Sequence, residues 1–304
     1  MTGATGYIGK RLLPVLLENG HEVVCCVRDK ARLRVDPEWV DRITVVEVDF
    51  IQKSTLNEIP KEIDGAYYLV HSMTSTSNGF DLAEAVSAHN FKDYMNTTGV
   101  RHVVYLSGIA NDPHLSKHLA SRKNVEDILT GGNYKFTTLR AGIIIGSGSA
   151  SFEMMRHLVE KLPIMIAPHW LKTRSQPIAI RDVIYCLEKV LFKEECFNRN
   201  YDIGGPDVMT YQEMLQELAR IRKLKRRIYS LPLPIPRLAS IWLYLFTPAS
   251  FHLANHLVRS MRSEVVARNN RLHRILGVCP MTFFEAVEEA LALQGRGLRV
   301  EGQA

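Results

Sequence analysis

The chain lacks the marks of several protein classes. It has no CxxC pair and no zinc-like spacing, and its five cysteines (Cys25, Cys26, Cys186, Cys196, Cys279) are scattered and odd in number. That usage reads as reduced thiols in a cytosol, not as a disulfide framework. Thr2 to Gly9 is a run of small loop residues without an apolar core behind positive charge, so no signal peptide is expected. There is no low-complexity tract, no internal repeat and no Pro/Gly/Ser stretch long enough to be a free linker. At 46% apolar and 23% charged residues, disordered and fibrous readings are excluded.

A long uninterrupted apolar run is also missing. The most apolar stretch, "LPLPIPRLASIWLYLFTPASFHLANHLV", is broken by Pro232, Pro234, Pro236 and Pro248, well short of the roughly 20 residues that a membrane span needs. Two short amphipathic helices are expected there, packed on the core, forming a homodimer face or lying on a membrane. General basicity is absent too. The net charge of +6 resides in one run, "RIRKLKRR", through Arg220, Arg222, Lys223, Lys225, Arg226 and Arg227. A cationic run followed by Trp242, Tyr244 and Phe246 fits contact with a membrane surface through 220–262. The alternative is a solvated helix end before core helices. No nucleic-acid reading motif accompanies the run, so nucleic acid is not an expected partner. The expected location is the cytoplasm, or the periphery of the inner face of a membrane.

What is present is an alternation of short apolar runs and helical patterns, the signature of βαβ units. "HEVVCCVR", "ITVVEVDF", "GAYYLVHS", "HVVYLSG" and "KFTTLRAGIIIG" read as strands. Helices are expected at Tyr7 to Asn19, Phe80 to about Thr98 and Ser116 to Leu129. The fold class is therefore α/β, a Rossmann-like doubly wound parallel sheet with a smaller, mainly helical C-terminal region. The expected division is a dinucleotide-binding domain at 1–148, with later strands contributed from about 176–204, and a substrate-side region at 149–304.

The opening "MTGATGYIGKRLL" carries Gly3, Gly6 and Gly9 in the spacing of a pyrophosphate-binding turn, with Thr5, Tyr7 and Ile8 between them. Gly3 permits the tight turn, Gly6 lets backbone approach the phosphates, and Gly9 lets the helix pack close to the sheet. The helix start then aims N–H groups and the positive dipole end at the anion. Only Met1 and Thr2 precede this turn, so the first strand looks truncated, and a misread start codon is the expectation. At the end of the second strand stands Arg28, where NAD sites place an acid for the ribose 2′-hydroxyl. A guanidinium there suits a 2′-phosphate, so NADP(H) is preferred over NAD(H), although Asp29 could still reach a ribose.

In "TGATGYIG", "VDF" at Val48 to Phe50, "YYLVHS", "VVYLSG", "LRAGIIIG" and "YDIGGP", the chain resembles the atypical extended short-chain dehydrogenase/reductases. Within them it is most similar to the NmrA-like NAD(P)H-binding branch, which also resembles the accessory nucleotide-binding subunit of respiratory complex I. The resemblance implies that Asp49 accepts a hydrogen bond from the adenine amino group with Phe50 beside the ring. It implies that Val70, His71 and Ser72 run under the ribose and pyrophosphate, and that Ala141, Gly142 and Ile143 border the nicotinamide. It also implies catalysis by a Ser with a Tyr and a Lys four residues apart. Ser107 matches the Ser, but His118 and Arg122 stand where the Tyr and Lys belong. Their i, i+4 spacing keeps one helix face. Imidazole titrates near neutrality and could serve as acid, whereas a guanidinium cannot exchange a proton. Tyr94 and Tyr105 look like poor substitutes, and His71 is a second candidate acid.

Two histidine pairs at helical spacing, His114/His118 and His252/His256, lack a third ligand or the Glu of HExxH, so no metal is expected. The leading expectation is hydride transfer between NADP(H) and a small or lipophilic small-molecule substrate. Its pocket is expected to be lined by Met154, Met155, Trp170 and the 230–260 region. A non-catalytic NADP(H)-binding sensor or structural subunit is the main alternative, and a nucleotide-sugar epimerase or dehydratase a weaker one.

Overall fold

In a computed structural model the chain is a mixed α/β protein. The structure describes residues 1–70, 80–111, 117–231 and 263–301, with side chains except at 80, 117–118, 166–170, 230–231 and 295–301. In chain order the elements begin with α1 (Gly9–Glu18), β1 (Val23–Val27), β2 (Ile43–Glu47), β3 (Gly65–Tyr68), α2 (Phe80–Met95), β4 (His102–Gly108), α3 (Lys117–Thr130) and β5 (Lys135–Ala141). They continue with β6 (Ile144–Ile145), α4 (Ala150–Lys161), β7 (Ile164–Pro168), β8 (Arg174–Ser175), β9 (Ile178–Ala179), α5 (Ile180–Val190), β10 (Arg199–Ile203), β11 (Met209–Thr210), α6 (Tyr211–Ile221), β12 (Arg227–Leu231), α7 (Arg271–Leu276) and α8 (Phe283–Glu301). The helices expected within 232–262 lie outside the described residues.

The chain divides into two compact units: Met1–Gly108 with Ala120–Arg140 and Ile184–Tyr201, and Ile109–Leu119 with Ala141–Val183 and Asp202–Ala304. In the first, β1 pairs with β2 in parallel, Val23 opposite Ile43. A second sheet runs in the order β10-β5-β4-β3, with β3 and β4 parallel. Met1 and Thr2 lie between these two sheets. Thr2 bridges Cys26 in parallel, its N–H donates to the Tyr67 carbonyl (3.0 Å), and the Cys26 N–H donates to the Met1 carbonyl (2.9 Å). The Thr2 hydroxyl accepts the Leu69 N–H at 2.8 Å. These two residues thus hold the position of a central strand, and through them the strands follow the doubly wound order.

Period-two alternation assigns the faces of this unit. Val103, Tyr105 and Ser107 of β4 share a face with Tyr68, packed on α2 through Phe91, whose ring lies 4.8 Å from that of Tyr68. The opposite face carries Tyr67, whose hydroxyl donates to the Leu187 carbonyl (2.9 Å), and the fully buried His102. His102 Nδ1 accepts the Phe192 N–H (3.0 Å). Nε2 therefore carries the proton and donates to the Thr137 hydroxyl (2.9 Å), which donates in turn to the Cys196 carbonyl (2.7 Å). Every polar atom of the ring is used, and only by its neutral form.

The second unit gathers α4, α6 and α8 around Phe152, Leu158, Val159, Met214, Leu218 and Val287. Met154 and Met155 are each 2% exposed within that core. Thr210 and Glu213 close a capping box at the start of α6. Four cysteines are buried, Cys279 is exposed, and all are free. Among the described residues no helix is long and apolar enough to cross a membrane.

Burial lowers the pKa of His102 to about 4, below its unfolded value near 6.5. The neutral form is therefore the one that folding favours, so this contribution is complete above pH 6.5 and is lost as pH falls toward 4. We expect urea unfolding at pH 7 and pH 4.5 to differ by about 2 kcal/mol from this source, with the buried His273 acting in the same direction. The difference should shrink in His102→Gln, and an equal pH slope in that variant would contradict the assignment.

Candidate functional site

The glycine turn is built by close approach of bare backbone. Gly3 adopts φ +65°, a conformation that a side chain would strain. A Cβ on it would fall 2.6 Å from the Leu69 carbonyl oxygen, just past β3. A Cβ on Gly9 would fall 2.3 Å from the Gly3 carbonyl oxygen and 2.8 Å from Ala4 Cα. Gly6 is exposed and donates its N–H to Gly3 O at 2.9 Å. α1 starts at Gly9 with no side-chain cap at Ile8, two residues later than the sequence reading placed it. Arg11 leans back over the Tyr7 ring, 3.9 Å from its centroid, and donates to the Tyr7 carbonyl (3.1 Å). Thr5, Tyr7 and Ile8 are half-buried beside the turn. An uncapped helix start behind a turn stripped of Cβ atoms is a seat for an anionic diphosphate.

Beyond β1, Arg28 is exposed and makes no ion pair among the described residues. Asp29 is occupied instead, its carboxylate accepting the Ala31 N–H at 3.0 Å as the cap of a short 3-10 turn. Beyond β2, Asp49 holds its own turn, accepting the Ile51 N–H (3.1 Å), while its N–H donates to Thr55 Oγ1 (3.0 Å). Phe50 is 6% exposed in the aromatic core, 5.7 Å from the Phe91 ring. Val70 is half-buried after β3; His71 and Ser72 lie outside the described residues.

At the end of β4 Ser107 is 4% exposed and shares its strand face with Tyr105. Arg122, on α3, donates to the Leu106 carbonyl at 2.8 Å, so it fixes the backbone one residue before Ser107. Tyr105 donates a long bond to the Arg122 carbonyl (3.4 Å). Burial raises the Tyr105 and Tyr68 hydroxyls above the usual phenol range, and the Arg122 guanidinium offsets part of that. Glu84 of α2 is buried and accepts from the Ser121 hydroxyl at 2.5 Å. Glu126 and Arg140 form a bidentate pair (2.9 and 2.6 Å). Sequence reasoning passed over Tyr105 because it sits inside a strand. The available signal was its place two residues before Ser107, which in a strand aims both side chains the same way. His118 lies in α3, but its side chain is outside the described atoms, as are His114, His252, His256 and the Trp170 side chain.

The motif at 141–143 lies in the second unit. The Ala141 carbonyl accepts the Ile109 N–H (3.1 Å) and the Ile143 carbonyl accepts the Ile178 N–H (2.9 Å). A Cβ on Gly142 would meet the Gln176 carbonyl oxygen at 2.6 Å. Gln176 also holds the chain at 265–267, accepting the Ala267 N–H on Oε1 (3.0 Å). Among the described residues no group of three His, Cys, Asp or Glu side chains is placed to hold a metal.

This fold and turn define a Rossmann-type dinucleotide-binding protein. Residues 3–157 match the NAD(P)H-binding family, and the chain belongs to it. The NAD(P)H-binding membership expected from the motifs is borne out by that match. The chain is 26% identical over 245 residues to the ceramide reductase of Caulobacter vibrioides, covering 77% of this chain and 73% of that protein. It is 21% identical over 286 residues to the mitochondrial NADH-ubiquinone oxidoreductase 40 kDa subunit of Neurospora crassa, covering 91% of this chain and 74% of the relative. Among solved structures, an NADPH-dependent quinone oxidoreductase from Escherichia coli in complex with NADPH aligns with TM-score 0.75 at 17% identity, over 94% of this chain and 97% of that one.

Gly9→Ala must displace the Gly3 carbonyl, an overpacking strain of about 1–3 kcal/mol. We expect NADPH affinity, read by quenching of intrinsic fluorescence, to fall by about 10–100-fold. Unchanged affinity would show that the turn does not seat the phosphates.

Proposed function

We propose that the chain is a reductase that prefers NADP(H) over NAD(H) and acts on a small or lipophilic carbonyl compound. Reduced nicotinamide, when bound, supplies a hydride to an electrophilic carbon. The glycine turn and the start of α1 would hold the diphosphate. Arg28, exposed and without an ion pair among the described residues, beside an occupied Asp29, suits a 2′-phosphate better than a bare ribose. Ser107 would orient the substrate oxygen and donate a hydrogen bond to it as negative charge develops there. Tyr105 and Arg122 would hold Ser107 in register, and His118 would serve as the acid.

The observation that carries this reading is Ser107, buried at the end of β4 on one strand face with Tyr105 and with the preceding Leu106 carbonyl fastened by Arg122, in a chain that also keeps the complete glycine turn. The name of the Caulobacter relative makes a long-chain lipid ketone the substrate class to test first. The second reading, a non-catalytic NADP(H)-binding subunit, is supported by His118 and Arg122 in place of the Tyr–Lys pair and by the likeness to the complex I subunit.

The test is oxidation of NADPH by purified protein with a panel of short and long aliphatic ketones. Turnover is expected with NADPH above NADH, and Ser107→Ala should lower kcat by about 10²–10³-fold, the scale of one lost oxyanion donor. NADPH affinity should stay unchanged in that variant. Measured NADPH binding without oxidation of any ketone would overturn the reductase reading in favour of the subunit.

A further inference from the structure

The basic run is sorted by the fold into two sets. The odd positions Lys223, Lys225, Arg227 and Tyr229 are exposed, whereas Leu224, Arg226 and Ile228 between them are half-buried. Leu224 and Ile228 pack on the core of the second unit. Arg226 reaches back to the Val159 and Glu160 carbonyls at the end of α4. Arg220 pairs with Glu217 (2.6 Å) and Arg222 with Glu160 (3.0 Å). Half of the cations are thus employed within the protein, and Lys223, Lys225 and Arg227 make no ion pair among the described residues.

Arg227 and Tyr229 lie exposed on β12, Tyr229 at 50%, and the exposed Lys223 and Lys225 stand in the segment that leads into that strand. β12 pairs in parallel with β7, placing Arg227 opposite Ile164. Ile164 is 54% exposed, while its neighbour Met165, opposite Ile228, is 2% exposed. The outer face of this two-stranded sheet therefore presents aliphatic and aromatic surface beside three cations that make no ion pair among the described residues. The chain passes from it into the most apolar stretch of its sequence.

We propose that this face, Lys223, Lys225, Arg227, Tyr229 and Ile164, docks the protein on an anionic lipid bilayer. The pattern has the two parts that such binding uses: cations that meet lipid phosphates, and apolar or aromatic side chains that enter the interface. The face offers a two-stranded parallel sheet with the chain that leads into it, and no reading helix, which fits a bilayer better than a nucleic-acid groove. No helix among the described residues is long and apolar enough to cross a membrane, and the attachment proposed is peripheral. This stands apart from the reductase reading, because vesicle binding is measured without cofactor or substrate.

The test is co-sedimentation of the full chain with phosphatidylcholine vesicles, with and without about 30% phosphatidylglycerol, at low and high salt. Binding to the anionic vesicles should exceed that to the neutral ones by about a hundredfold, from three basic residues near the surface, and should fall at high salt. Lys223→Glu, Lys225→Glu and Arg227→Glu together should abolish it. Tyr229→Ser with Ile164→Ser should weaken binding about tenfold while keeping the salt dependence. All five side chains are exposed, so an unchanged melting temperature checks folding. If the charge-reversed chain does not fold, the lipid and salt dependence of the native chain decides alone. Equal binding to neutral and anionic vesicles, or full binding by a folded charge-reversed variant, would overturn the proposal. So would retention on DNA or heparin through these residues with no vesicle binding.

Discussion

Two close contacts of bare backbone govern the first unit: Gly3 against the Leu69 carbonyl and Gly9 against the Gly3 carbonyl. Neither leaves space for a Cβ, and Gly3 also holds φ +65°. They draw the start of α1 down onto the end of β3, where Met1 and Thr2 join the two sheets through bonds to Cys26, Tyr67 and Leu69. The helix start is left without a side-chain cap. A helix N-terminus in that state is completed by an anion, so the geometry that closes the fold also prepares the seat for a dinucleotide.

The end of β4 shows a comparable economy. Tyr105 and Ser107 project to the same face by strand alternation, and Arg122 fastens the backbone between them at Leu106. The polar groups beneath, Glu84 with Ser121 and Glu126 with Arg140, are each paired in place. That pairing limits the cost of burying them. Arg122 stands where the resemblance implied a lysine, and it binds main chain.

Much of this could be read from the residues. The glycine spacing, the strand runs "VVCCV", "ITVVE" and "HVVYLSG", and the order of βα units all reappear as elements, because period-two burial and glycine geometry are local properties. α2 ends at Met95 and not near Thr98, where Thr97 and Thr98 turn their hydroxyls onto the carbonyls of Tyr94 and Met95. The partners of buried polar side chains were not readable. That His102 ties Phe192 to Thr137 depends on packing between segments distant in sequence. Met154 and Met155, expected to line a pocket, are core residues, since apolar spacing does not tell a cavity wall from an interior.

The central claim is that the turn at Gly3–Gly9 and the uncapped start of α1 receive the cofactor phosphates. Backbone amide exchange, with and without saturating NADPH, tests it most directly. The Tyr7, Ile8 and Gly9 amides should slow by about tenfold or more on binding, as N–H groups that gain phosphate acceptors do. NADPH binding that leaves these three amides unchanged, with protection confined to other segments, would contradict it.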